Sequence, residues 1–206
     1  MITVHLLRHG QTAWNVERRF LGLTDIALDA VGTEQVHRLA KVFPSTEAVY
    51  SSPLLRAWTT ALGVAGAAPL AADSGLVEMH MGVLEGLGAD EALQRYSALF
   101  QSFRADPSTV VIPEGETLSQ AADRMTAAWT RIVVPSAPQN VAIVSHQMAL
   151  SALLCRLTGA PLSTYRAFTQ RNTAWTTVTV DPTRPLDPAG IHVITRDHAP
   201  HLVDMG

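Results

Sequence analysis

Short apolar runs recur along this chain, and each is followed by a stretch with helical periodicity. Ile2 to Leu7, Ala48 to Ser51 and Asn140 to Ser145 are brief and rich in Val, Ile and Ala, so they read as buried strands. After the first, Val36, Leu39, Ala40 and Phe43 fall at i, i+3, i+4 and i+7, which predicts a helix over Val31 to Phe43 that Pro44 ends. After the second, Ser52 and Pro53 suit an N-cap and first turn, and Leu54, Trp58, Ala61, Leu62 and Ala65 form an apolar stripe. Pro69 to Val77 reads as a weaker third strand, and Ala89 to Phe103 as one helix carrying Leu93, Tyr96, Leu99, Phe100 and Phe103. Thr117 and Gln120 form a capping box that opens a long helix with Leu118, Ala121, Met125, Trp129 and Ile132 on one side. Leu150, Leu153, Leu154 and Leu157 mark the helix after the 140–145 strand, and Ala174 to Val180 and Ile191 to Thr195 alternate like strands. This rhythm predicts a single α/β domain over residues 1–206. Its sheet is mostly parallel and doubly wound, with helices on both faces.

Composition narrows the function classes. The chain is 47% hydrophobic and 16% charged, enough apolar material for one sizeable core. A formal net charge of -3 offers no electrostatic footprint for nucleic acid. Cys155 is the single cysteine, so no internal disulfide can form and a thiolate metal cluster is disfavoured. No stretch approaches the ~20 apolar residues of a membrane helix, and the first run is too short for a signal peptide. The expectation is a soluble cytoplasmic protein. The oligomeric state stays open, with a homodimer as one reading.

In an open α/β sheet, ligands bind outside the carboxyl ends of the strands. His9 and His146 each follow a predicted strand, Arg56 lies in the first turn of the helix after another, and Glu78 closes the weaker third strand. Such ends gather at one edge of the sheet. Arginine offers a fork suited to phosphate and histidine can act as a nucleophile. From spacing alone, however, Arg56 reads as a solvated residue.

The string Leu6-Leu7-Arg8-His9-Gly10-Gln11-Thr12-Ala13-Trp14-Asn15 resembles the signature of the histidine phosphatase superfamily, the phosphoglycerate mutase-like family. Ser51-Ser52-Pro53-Leu54-Leu55-Arg56-Ala57, with Thr59-Thr60-Ala61, is similar to that family's second arginine motif. Glu78 with Gly82, Glu85 and Gly86 is similar to its acid-carrying loop, Pro113-Glu114-Gly115-Glu116-Thr117 to its turn before the long helix, and Val144-Ser145-His146 to its second-histidine motif.

The resemblance implies a phosphomonoester hydrolase acting on a small phosphorylated metabolite, with no cofactor and no metal. It implies that His9 accepts the phosphoryl group and that Glu78 serves as acid and then base. Arg8, Arg56 and His146 would hold the phosphate, joined by Asn15, Gly22, Gln147 and the amides opening the helix at Gln147. Residues 79–115 would form a small cap over the site. Gln147 stands where the family usually has glycine, and Leu84 where tryptophan is common. Trp14, Phe20, Leu21, Leu23, Met79, Met81 and Leu84 could supply an apolar wall, and a nucleotide-like or sugar phosphate fits loosely.

Two rival functions share this site: a cofactor-dependent phosphoglycerate mutase and a non-catalytic binder of phospho-ligands. A mutase must also hold a carboxylate, yet Arg95 and Arg104 are the only cations between Met79 and Thr117, and the insertion typical of that branch is missing. The remaining motifs favour structural roles. His198 and His201 make only a loose zinc spacing, Ser145 lacks the glycine-flanked elbow of a nucleophilic serine, no phosphate loop of the nucleotide triphosphatases is present, and Cys155 suits a buried small side chain.

Overall fold

The computed structural model describes residues 1–203. Strand β1 (Ile2–Arg8) lies inside a six-stranded sheet with β2 (Ala48–Ser51), β3 (Leu70–Ala72), β4 (Asn140–Ser145), β5 (Trp175–Val180) and β6 (Ile191–His198), in the order β3-β2-β4-β1-β5-β6. The first four neighbours in that order pair in parallel, whereas β5 runs antiparallel to β1 and β6 antiparallel to β5. Leu7 lies opposite Val144 and Arg8 opposite Ser145, while Ser51 also lies opposite Val144. The carboxyl ends of β1, β2 and β4 therefore meet at one edge, and His9, Ser52 and His146 each leave it.

The sheet is covered on both faces because its central strands are apolar on both. Val4, Leu6, Val141 and Ile143 pack on one face with Met125 and Trp129 of α6 (Leu118–Ile132) and Leu150 and Leu153 of α7 (Gln147–Thr158). Leu7, Val49, Ala142 and Val144 pack on the other with Leu39 of α2 (Ala30–Leu39) and Ala57 and Ala61 of α3 (Leu55–Ala65). The alternation follows the two-residue period of a strand. α1 (Ala13–Val16) is a single turn after β1. A third apolar cluster joins Met79, Met81, Leu84 and Ile112 to α4 (Ala89–Arg95), α5 (Ser97–Ala105) and the amino-terminal half of α6.

Several local expectations need correction. The single helix over 89–103 is two, because Tyr96 leaves helical geometry at φ -131° and ψ 44°. α2 ends at Leu39, short of Phe43. β3 covers only Leu70–Ala72, and a 3₁₀ turn capped by Asp73 fills Ser74–Leu76, so Glu78 follows a turn and not a strand. The buried face of α3 is Arg56, Ala57, Thr60 and Ala61, whereas Leu62 is 57% exposed. The helix is rotated from its predicted stripe because the polar side chains of Arg56 and Thr60 find partners inside. The Thr117–Gln120 capping box forms as read from sequence.

Candidate active site

His9 emerges from β1 with its N–H bonded to the Ser145 carbonyl of β4 (3.1 Å), which pins it at the sheet edge. Its Nδ1 lies 2.7 Å from the Gly10 carbonyl. A carbonyl can only accept, so Nδ1 carries the proton and Nε2 keeps a free lone pair. Burial, then the charges of Arg8 and Arg56, hold its pKa well below the usual value, leaving the ring neutral and nucleophilic. The His146 ring lies 5.1 Å away between centroids and is depressed in the same way, first by burial and then by Arg56.

Two arginines flank the histidines. Arg8 donates from Nη1 to the Gln170 carbonyl (2.7 Å), and burial lowers its pKa to about 10, still positive at neutrality. Arg56 is fully buried, correcting its reading as a solvated residue. Its Nη1 and Nη2 donate to the carbonyls of Thr24 (2.9 Å) and Gly22 (2.7 Å). Thr60 reinforces this turn by donating to the Arg56 carbonyl (2.7 Å) and accepting from the Gly10 N–H (3.0 Å). Arg8 Nε, Arg56 Nε and His146 Nδ1 remain buried with no partner. An unpaired buried polar group costs about 1–3 kcal/mol, and these three lie on residues whose charge or ring reaches His9, of which Arg8 alone lines the adjoining cavity.

Asn15 contributes from α1. Its Oδ1 accepts from Thr12 N–H (3.1 Å) and Asn172 Nδ2 (3.2 Å), so its own amide NH₂ is left to donate. A cavity of about 150 Å³ is lined by Arg8, His9, Asn15, Glu78 and Gln147, with Arg19 on its wall. Gln147 thus reaches the cavity that a glycine would leave wider.

Glu78 sits at the opposite side of this cavity's chemistry. Oε1 accepts from the N–H groups of Met79 (2.9 Å) and Ala149 (2.9 Å), and Oε2 from that of Met148 (3.1 Å). The Met148 and Ala149 amides that open α7 are therefore spent on the carboxyl group and are not free for phosphate. Burial raises the pKa of Glu78, outweighing the three N–H bonds and the Arg56 charge that lower it. With only one bond at Oε2, that oxygen is the one able to carry a proton. Arg124 of α6 holds the segment in place by donating to the carbonyls of Gly75 (2.9 Å), Val77 (2.9 Å) and Glu78 (3.2 Å), itself anchored by Glu116.

Gly22 does not line the cavity. Its N–H donates to Glu85 Oε1 (2.9 Å) and its carbonyl holds Arg56, so it shapes the arginine's socket. A Cβ there would meet Glu85 Oε2 at 2.5 Å and the Met79 carbonyl at 2.7 Å, which only glycine avoids. Sequence reasoning missed Arg124, Gln170 and Asn172, and Ser52, read there as the helix N-cap, lies before the actual N-cap Leu54 and bonds His146. Nothing in the sequence points to any of the three, since each reaches its partners through contacts far apart along the chain. Among the described residues, no group of three or more His, Cys, Asp and Glu side chains is arranged to hold a metal ion, and no helix is long and apolar enough to cross a membrane.

Known proteins match this chain over most of its length. A protein named probable phosphoglycerate mutase from Yersinia pestis is 34% identical over 84% of this chain and 82% of its own. Phosphoserine phosphatase 1 of Hydrogenobacter thermophilus is 28% identical over 89% of each chain. The solved structure of Bacillus stearothermophilus YhfR superposes with a TM-score of 0.88 at 31% identity, covering 98% of this chain and 100% of that one. The family model described as histidine phosphatase superfamily (branch 1) matches residues 4–186, and with these likenesses it establishes that the chain belongs to the histidine phosphatase superfamily.

Proposed function

We propose that this protein is a metal-independent phosphatase that hydrolyses a small phosphomonoester through a phosphohistidine on His9. The observation that carries the proposal is the set of unpartnered buried donors, Arg8 Nε, Arg56 Nε and His146 Nδ1, around a neutral imidazole whose Nε2 is free.

The His9 Nε2 lone pair attacks phosphorus as the ester P–O bond breaks. Glu78 gives its proton to the departing oxygen and becomes a carboxylate. The phosphorylated ring keeps its Nδ1–H on the Gly10 carbonyl, which steadies the positive imidazole. Water then attacks phosphorus from the side the leaving group vacated, opposite the P–N bond, Glu78 takes the water's proton, the P–N bond breaks and inorganic phosphate leaves. Arg8, Arg56, His146 and Asn15 stabilise the equatorial oxygens throughout, the two arginines supplying charge that a metal would otherwise bring. Residues 79–115 act as the cap that walls the leaving-group side.

A mutase on the same site is the second reading, favoured by the Yersinia relative's name. That relative is of comparable length, so the missing insertion does not separate the two functions. Arg19, on the cavity wall, is the cation a mutase would recruit, but it is engaged with Glu17 and the Gly86 carbonyl. Hydrolysis is the better fit.

The test is phosphate release from a panel of phosphomonoesters with EDTA present, alongside rapid-quench labelling and peptide mapping. Acid-labile label on His9, with turnover retained in EDTA, is expected. Return of the phosphoryl group from bisphosphoglycerate to a product would favour the mutase. Binding without release would leave a phospho-ligand binder. Chelation that abolishes turnover, reversed by one metal, would overturn metal independence.

A further inference from the structure

A second cavity, of about 210 Å³, adjoins the phosphate site, and Phe20, Met81 and Met148 line both. Its remaining wall is almost wholly apolar, with Leu84, Leu99 and Ile112 among aromatic rings in edge contact. Phe20 meets Phe100 at 5.8 Å and Phe103 meets Tyr165 at 6.2 Å between centroids. The charged groups on the wall are both cations, Arg104 and Arg166, the latter lying 4.9 Å over the Tyr165 ring.

Met148 ties the two spaces together. Its backbone N–H holds Glu78 Oε2, the oxygen suited to protonate the leaving group, and the same residue lines the apolar chamber as well as the phosphate site. Glu78 Oε2 is therefore bonded to a residue that walls both cavities. An apolar group placed in a space of this shape gains dispersion contacts along its walls. A polar leaving group placed there would lose water without gaining partners.

Resting on the phosphatase reading above, we infer that the chamber receives the substrate's leaving group. The preferred phosphomonoesters carry a compact apolar body, a short alkyl chain or small aryl ring, whose outer end is neutral or anionic. The volume is below the range of about 300–1,000 Å³ typical of pockets for drug-sized ligands, which favours a compact leaving group. This departs from the sugar-phosphate substrate that the sequence alone loosely accommodates.

The experiment measures kcat/KM for the ethyl, butyl and hexyl phosphates, whose alkoxides are similarly poor leaving groups. An increase of about fourfold per added methylene is expected until the chamber is full. Glycerol phosphate and phosphoserine should fall below butyl phosphate, and an ω-aminoalkyl ester below the ω-carboxyalkyl ester of equal length. Phe100→Ala should move the optimum to longer chains. A flat or falling alkyl series from an enzyme that releases phosphate would overturn the inference while sparing the phosphatase reading. No release from any ester, p-nitrophenyl phosphate included, would overturn both.

Discussion

Ser52 Oγ lies 2.8 Å from His146 Nε2 and has no other acceptor for its hydroxyl proton. The Leu54 N–H donates to the same oxygen, and the hydroxyl proton, with no other acceptor among the described residues, goes to the ring nitrogen. His146 is neutral and has one proton to place. With Nε2 accepting, that proton sits on Nδ1, the buried atom with no partner among the described residues. Ser52 is in this sense a positioning residue, and it decides which edge of His146 can donate to an anion.

Ser52→Ala should lower kcat/KM by roughly tenfold to a hundredfold, the scale of one mispaired buried group. The ¹⁵N chemical shifts of His146 should move from the Nδ1–H tautomer toward a mixture. Unchanged rate together with an unchanged tautomer would mean that Ser52 is only a turn residue.

Arg56→Ala should lower kcat by about a hundredfold to a thousandfold, as expected for one preorganised donor to developing charge. Arg56→Lys should rescue little. The guanidinium spends Nη1 and Nη2 on two carbonyls and still has Nε to give, which a single ammonium cannot reproduce. Steady-state kinetics on both variants are the check, and a lysine variant near wild type would show that charge alone suffices.

Glu78→Gln should depress turnover of an alkyl phosphate far more than that of p-nitrophenyl phosphate, because nitrophenolate leaves without a proton. Burial raises the Glu78 pKa, so its protonated form persists above the usual carboxylate range and the alkyl reaction should decline only as pH climbs past that raised value. Arg124→Gln, which loosens the carbonyl clamp behind Glu78, should show the same substrate bias in weaker form. Equal losses on both substrates would assign Glu78 to binding.

Acid should destabilise the fold before its carboxylates titrate. Burial lowers the pKa of His5, His9, His146 and His201, the last to about 4. The unfolded chain binds protons on these residues below about pH 6.5 while the native chain does not. Stability is thus lost as pH falls through that value, by at most about 1.4 kcal/mol per pH unit for each histidine. Glu78 works in the opposite sense, holding a native proton at higher pH than the unfolded chain does, but it is one group against four. Urea midpoints should drop between about pH 7.5 and pH 5, and a flat profile would contradict the burial argument.

The parallel core was legible in the residues themselves, and the candidate site was proposed from strand ends and from motifs that resemble a family's. Apolar runs of strand length, helical stripes and the Thr117–Gln120 capping box are local patterns, because backbone periodicity and caps act over a few residues. His9 and His146 follow directly, since parallel strands must place their carboxyl ends on one edge. What tertiary structure decided are the pairings of polar groups far apart in sequence. Apolar periodicity treats a buried arginine as an error, yet Arg56 is fully buried because the Gly22 and Thr24 carbonyls receive it. The amides opening α7 look available to phosphate until Glu78 is seen to occupy two of them. Glu78 itself reaches the site on a turn held by Arg124, and the chamber beside it is the space left between α5, the start of α7 and the loops that close on them. A void between side chains has no sequence signature, because its size depends on how far the surrounding elements can approach one another.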